Sequence, residues 1–391
     1  MSKDMKHLIN PAVSSIPPSG IRKFFDIVVQ MEDVISLGVG EPDFDTPWNV
    51  REAGISSLEN GQTYYTSNLG LKELRGELSN YLNRKYGLKY NAENEILVTV
   101  GGSEAIDLAL RAVISKGDEV LIPEPSFVCY KPCTILAGGT PVPITTKAEN
   151  EFRLTPEELK ASITDKTKLL ILPFPSNPTG GIMFREDYEK IAEIIRGTDI
   201  LVLSDEIYSE LNYSDEPHTS FATLDGMYDR TITVNGFSKA FAMTGWRLGY
   251  ACGNAEIIGA MTKIHQYAIM SAPTTSQYAA IEALRNCDED VANMKAEYNR
   301  RRRTIVDGFR NMGLDCFEPL GAFYAFPSIQ KTGLTSEEFC SRLLQEERVA
   351  VVPGNAFGDC GEGFIRCCYA YSVEHIEEAL RRIERFIQKY I

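Results

Sequence analysis

Between residues 95 and 255 one pattern recurs: a short run that is apolar on both faces, then a stretch with the length and spacing of a helix. The runs are 96–100 (ILVTV), 119–123 (EVLIP), 168–173 (KLLILP), 200–204 (ILVLS), 231–235 (TITVN) and 248–252 (LGYAC). Strands without a polar face must be covered on both sides, so the pattern predicts an α/β sheet with helices above and below it. Residues 103–115 show the helical half of the unit, with apolar side chains at 105, 106, 108, 109, 110, 112 and 113 and Lys116-Gly117 as a stop.

The two ends read differently. Residues 1–45 are loop-rich, with Pro11, Pro17, Pro18 and Gly20. From about residue 290 the pattern becomes α+β. A basic helix is expected over 297–312, strands over 321–327 (GAFYAFP) and 364–371, and a closing amphipathic helix over 374–389 with Ile376, Leu380, Ile383 and Phe386 on one stripe. A large domain over 48–288 and a smaller one built from 1–47 and 289–391 follow. The arginines at 300–303 are expected on a solvated helix face, because the chain carries 40 basic and 54 acidic residues and a net charge of −14. That charge argues against nucleic acid or an anionic membrane as a partner. Nine cysteines without a C-x-x-C pair, and four scattered histidines, argue against a zinc site, and the cysteines are expected as free thiols in a reducing cytoplasm. Neither a signal peptide nor a membrane span is predicted.

Ligands of open α/β sheets bind outside the carboxyl ends of the strands, and the residues there are rich in chemistry. Gly101-Gly102-Ser103 follows the first run and opens a helix. Phe127 follows the second, Asn177-Pro178-Thr179-Gly180 the third, Asp205-Glu206-Ile207-Tyr208 the fourth and Ser238-Lys239 the fifth, with Arg247 eight residues beyond. Successive strand ends thus offer an anion nest, an aromatic ring, an amide, a carboxylate with a phenol, and a lysine. The set suits a phosphorylated, aromatic, carbonyl-bearing cofactor. Taken singly, each has a plainer reading: Gly-Gly as a turn, Phe127 as core, Asn-Pro as a turn signal, Asp205 as a helix cap.

Taken together, Ser204-Asp205-Glu206-Ile207-Tyr208, Asn177-Pro178-Thr179-Gly180 and the segment from Ser238-Lys239 through Thr244-Gly245-Trp246-Arg247 resemble the signature set of the class I/II aminotransferases. These are pyridoxal-phosphate enzymes of fold type I. The likeness extends to Gly40-Glu41-Pro42-Asp43-Phe44 and Gly321-Ala322-Phe323-Tyr324, and is greatest to the prokaryotic aromatic and aspartate aminotransferase subgroup.

The resemblance implies a large domain with a mostly parallel seven-stranded sheet. It implies that Lys239 binds the aldehyde of pyridoxal 5'-phosphate as an imine and that Asp205 faces the pyridine nitrogen. Tyr208 and Asn177 would bond the ring hydroxyl oxygen, and Phe127 would stack on the ring. Gly102, Ser103, Ser238 and Arg247 would hold the phosphate. Arg366 would grip the substrate α-carboxylate, with backbone contact from Gly40. Cys367-Cys368 stands where relatives have an apolar residue and Ser, and Gly236 where some carry a hydroxyl. Tyr65 resembles a tyrosine that reaches the neighbouring subunit's phosphate, which implies a homodimer with shared active sites. Glu124–Pro125 and Asn177–Pro178 are expected as cis peptides.

The implied reaction carries the amino group of an L-amino acid, aromatic by the nearest likeness, to a 2-oxo acid such as 2-oxoglutarate in ping-pong fashion. Aspartate and N-acetyl-diaminopimelate aminotransferases share the motifs, and a β-lyase on the same fold would need the same Lys239 and Asp205. The side chains that choose the donor are expected around Ser19-Gly20-Ile21 and in the small domain. Arg111 is either a partner for a distal carboxylate or a surface residue.

Overall fold

A computed structural model of the 391-residue chain describes residues 5–18, 31 and 33–391. Among these residues the strands are β1 (Ile35–Ser36), β2 (Ile96–Thr99), β3 (Glu119–Glu124), β4 (Thr140–Thr145), β5 (Thr167–Leu172), β6 (Leu201–Asp205), β7 (Thr231–Gly236), β8 (Gly249–Cys252), β9 (Tyr324–Ala325), β10 (Val349–Ala350), β11 (Val352–Pro353) and β12 (Ile365–Cys368). Seven form the main sheet in the order β2-β8-β7-β6-β5-β3-β4. All its pairings are parallel except the two made by β8, which runs antiparallel to β2 and β7.

Residue alternation along each strand supplies two cores. Leu97, Ile122, Ile171, Leu203 and Val234 pack with the helices Gly102–Val113 and Ala255–Ala268 on one face. Leu121, Leu170, Leu172 and Val202 pack with Arg185–Ile195 on the other. The six strand runs read from the sequence are all present, within a residue or two at their ends.

β4 escaped that reading because its sequence is TPVPIT. Proline removes a ladder donor, and the cost vanishes where that donor would face away from the sheet. β4 is the edge strand and pairs with β3 alone.

The expected strand at 321–327 contracts to β9, and that at 364–371 to β12, which pairs antiparallel with both β9 and β11. β1 pairs in parallel with β10, which ties the segment around residue 35 to the C-terminal part. The closing helix is Val373–Ile387, with Ile376, Leu380, Ile383 and Phe386 buried.

One expectation needs correction. The long helix Asp288–Asn311 is not solvated across 300–303: Arg301 and Arg302 are buried, while Arg300 and Arg303 are exposed. Successive helical residues turn by about 100°, so four in a row cannot share one face. Arg301 pairs with Asp43 and Glu297, and Arg302 with Glu318, which is how an acidic chain accommodates buried cations. Glu124–Pro125 and Asn177–Pro178 are cis, as is Phe174–Pro175. All nine cysteines are free thiols. Among the described residues no helix is long and apolar enough to cross a membrane, and no His/Cys/Asp/Glu cluster could hold a metal.

Candidate active site

A cavity of about 530 Å³ opens at the carboxyl edge of the main sheet, within the range of small-molecule sites. Its lining includes Gly40, Gly102, Ser103, Phe127, Asn177, Asp205, Tyr208, Ser238, Lys239, Arg247 and Arg366, eleven of the twelve residues singled out from the sequence. The twelfth, Tyr65, lies outside the lining with 81% of its surface exposed.

Each position follows from local structure. Asp205 ends β6, and Lys239 stands three residues past the end of β7. Gly101 takes φ +78°, and the helix Gly102–Val113 starts at the next residue with its first N–H groups free. Glycine is required at this turn: a Cβ on Gly101 would stand 2.6 Å from Arg247 Nη2, and one on Gly249 2.5 Å from the Gly101 carbonyl carbon. Gly40 is constrained likewise, because a Cβ there would run into the Tyr324 hydroxyl.

Burial dominates the electrostatics. Lys239 Nζ donates to the Gly40 carbonyl at 2.7 Å. Desolvation lowers its pKa to about 8; the Arg366 and Arg247 guanidiniums push the same way, against Cys368 and Glu41. Asp205 is raised to about 6 by burial, partly offset by a 2.7 Å hydrogen bond from the Tyr130 hydroxyl and one from the Ile207 N–H. Tyr208 and Tyr324 share a hydrogen bond of 2.8 Å between their hydroxyls. Arg366 donates through Nη1 to Asn177 Oδ1 at 2.9 Å and through Nη2 to the Gly38 carbonyl, and lies over the Tyr324 ring at 4.7 Å. Its Nε is buried without a partner, an unspent donor on a planar fork.

Reading the sequence missed four contributors. Tyr130 sits three residues after Phe127 at the start of the helix Tyr130–Leu136, and that i,i+3 spacing was the available signal. Tyr324 lay inside a quoted motif without a task. Glu41 and Thr244 also line the cavity, with the Thr244 hydroxyl donating to Glu41. Nothing local announces that pair, 203 residues apart. Arg111 lies on the exposed side of its helix and pairs with Asp107 at 2.7 Å. The segment Ser19-Gly20-Ile21 lies outside the described residues.

The Asp205 shift has a stability consequence. A carboxyl raised from 3.8 to about 6 binds its proton more tightly folded than unfolded. Above pH 6 the native state therefore carries a burial penalty, at roughly 1.4 kcal/mol per pKa unit. Asp205→Asn is expected to stabilise the cofactor-free protein by about 2–3 kcal/mol at pH 8. The gain should shrink to nothing as pH falls toward 4. Urea unfolding of both proteins across that range checks it; a gain independent of pH would contradict the assignment.

The fold and the site together define a type I transferase: an amine, a carboxylate and an anion nest gathered at the carboxyl edge of a mostly parallel sheet. Residues 32–383 match the family model for aminotransferases of class I and II, and the chain belongs to that family. It is an aminotransferase, of a family that uses pyridoxal phosphate. An aspartate aminotransferase of Pyrococcus abyssi is 48% identical over 96% of this chain and 97% of its own. The aromatic-amino-acid aminotransferase 2 of Thermococcus litoralis is 43% identical over 97% and 98%. The crystal structure of an aromatic aminotransferase from Pyrococcus horikoshii superposes with a TM-score of 0.90 at 47% identity, covering 94% of this chain and 99% of that one.

Proposed function

We propose that the protein moves the amino group of an aromatic L-amino acid to a 2-oxo acid such as 2-oxoglutarate, using pyridoxal phosphate bound at Lys239 and working in ping-pong fashion. The observation that carries this reading is the convergence of Lys239, Asp205 and Arg366 on one cavity.

The residues present fit the cofactor. The Gly101–Gly102 turn leaves an open cradle at a helix start beside Arg247, with the Ser103 and Ser238 hydroxyls also in the lining; this set would hold the phosphate. Phe127 would cover the ring, Asp205 would take the ring nitrogen, and Tyr208 and Asn177 the ring hydroxyl oxygen. When bound, the cofactor supplies an electron sink for negative charge on the substrate's α-carbon. Lys239 Nζ, with a pKa near 8, is neutral in a useful fraction around that pH and can take the α-proton and return it. Arg366 orients the α-carboxylate with its fork, and the Gly40 backbone borders the same place.

The donor choice rests on the rest of the lining. Among the described lining residues the cations are Lys239, Arg247 and Arg366, and each has a task in this reading. The remaining wall includes Val39, Ile106 and Val128, which suits an aromatic ring better than a second carboxylate. The 48% identity to an aspartate aminotransferase favours aspartate as a second reading. A donor panel of Phe, Tyr, Asp and N-acetyl-diaminopimelate with 2-oxoglutarate tests it: Phe or Tyr should lead in kcat/KM. Aspartate in the lead would replace this reading. Ammonia and pyruvate released from a cysteine conjugate without an acceptor would make the enzyme a β-lyase.

The same reading makes the enzyme a cytoplasmic homodimer with shared sites, divided into domains at residues 47 and 288. Exposed aromatic side chains at Trp48, Tyr64, Tyr65 and Tyr267 support a covered surface, and the pairing of β1 with β10 supports the division. Tyr65→Phe should weaken cofactor retention by roughly ten- to 150-fold, the worth of one hydrogen bond to a charged group. Mixing a protein disabled at Tyr65 and its loop with Lys239→Ala should restore activity as subunits exchange. A mixture that stays dead despite demonstrated exchange would place Tyr65 in its own subunit's site.

A further inference from the structure

The segment 38–46 is a strap that borders the cavity through Gly38, Val39, Gly40 and Glu41 and is stitched to both sides. It leaves the C-terminal part at Leu37, whose N–H donates to Ala350 at 2.8 Å and whose carbonyl accepts from Cys368 N at 2.7 Å. It reaches the Lys239 loop at Thr46, whose hydroxyl donates to the Ala242 carbonyl at 2.6 Å and accepts from Trp246 Nε1 at 3.0 Å. Between these ends two of its carbonyls meet the cavity's cations: Gly38 accepts from Arg366 and Gly40 from Lys239. The directions of the lysine amine and the arginine fork therefore depend on where the strap lies.

Its middle is held by the Thr244 hydroxyl, which donates to Glu41, and by one residue of the long helix. Arg301 Nη1 donates to both Asp43 oxygens, at 2.7 and 2.8 Å, and its Nε to Glu297 at 2.9 Å. The guanidinium lies over the Phe44 ring at 5.1 Å and the Tyr298 ring at 5.8 Å, and those two rings meet edge to face at 5.3 Å. Only 7% of the Arg301 side chain is exposed, against 27% for Asp43. Neither residue lines the cavity. A buried fork that grips two consecutive strap residues, one by charge and one by its ring, is a costly arrangement to leave without a task.

We propose that Asp43 and Arg301 are positioning residues of this aminotransferase: their pair, with Phe44 stacked on it, sets the strap over the cavity and so aims Lys239 and Arg366 through the Gly40 and Gly38 carbonyls. The consequence for catalysis rests on the reading of those two cations given above. The placement of the strap does not. Arg301→Lys keeps the charge but loses the planar fork and its stacking. Asp43→Asn keeps the shape and removes the charge.

Hydrogen exchange read by mass spectrometry on the cofactor-loaded protein reports strap placement without turnover. In each variant, peptides covering 38–46 should exchange about tenfold faster or more, with the main-sheet peptides unchanged. The KM of both amino donor and oxo acid should rise on the order of tenfold, with kcat moving less. The double variant should be no worse than the worse single one, as for residues acting as a unit. Strap exchange at the wild-type rate in both variants overturns the proposal, as do unchanged KM values or additive losses. Should Arg301→Lys fail to fold, the more exposed Asp43→Asn decides the question alone. A wild-type protein that transferred no amino group would sink the functional reading, while the exchange comparison would still decide whether the pair holds the strap.

Discussion

Lys239→Ala protein is expected to retain pyridoxal phosphate and lose amino transfer by roughly ten-thousandfold, the upper end of what a positioned acid–base group contributes. Retention is expected because the lysine is not part of the anion cradle. Gly101, Gly102, Ser103, Ser238 and Arg247 are untouched by the change, and Asp205 keeps its bond from Tyr130. The loss is expected because no other amine lines the cavity among the described residues, so no group of the same kind is left to carry the α-proton. Absorbance of the dialysed protein checks the first half and steady-state rates the second. Borohydride reduction of loaded wild-type protein followed by peptide mapping gives an independent answer. Label on any peptide other than the one holding Lys239 would end the assignment.

Arg366→Lys should lower kcat/KM on the order of a hundredfold for every donor and every oxo acid, with cofactor retention unchanged. Both substrates carry a carboxylate beside the reacting carbon, so the fork serves both halves of the reaction. A charge-assisted hydrogen bond is worth about 1.5–3 kcal/mol, and lysine keeps the charge but not the paired geometry. Arg366 is also fixed from behind, by Asn177 and by the rings of Tyr324 and Phe357 at 4.7 and 4.8 Å. A lysine cannot use those contacts. A loss confined to one donor would show instead that Arg366 reads the side chain.

The pH course of activity follows from the same cavity. Lys239, lowered to about 8, gains neutral amine as pH rises through that value. In the cofactor-free protein, reactivity of the amine toward an aldehyde reagent should therefore climb between pH 7 and 9. A lysine in water would do so only near its ordinary value of about 10.4. The cause is desolvation first, so the midpoint should respond little to added salt.

Much of this protein is written locally. Runs such as ILVTV and ILVLS announce strands buried on both faces, since no alternating polar side could meet water. The helix after Gly101-Gly102 announces an anion nest, since its first N–H groups have no partners within the helix. The rule that ligands gather at strand carboxyl ends then brings Asp205, Lys239 and Asn177 together from the sequence alone. Local reading failed where a neighbour from far along the chain decided the outcome. TPVPIT became a strand because β3 offered one edge and water the other. Arg301 and Arg302 turned inward because Asp43 and Glu318 met them. Tyr130 gained its role only when β6 brought Asp205 to within 2.7 Å.

The division has a physical basis. Periodicity, turn chemistry and chain ends depend on residues a few positions apart, so the order of strands and the identity of the chemistry-bearing groups belong to the sequence itself. Direction and charge state depend on what is packed around a group. The sequence names Lys239 but says nothing of the Gly40 carbonyl 199 positions away that accepts its hydrogen bond, nor of the burial that brings its pKa to about 8. It names Arg366 but not the strap carbonyl at Gly38, 328 positions away, that turns the fork. Desolvation and long-range hydrogen bonds exist only once the chain has closed on itself, and in this protein they turn a list of strand-end residues into an active site.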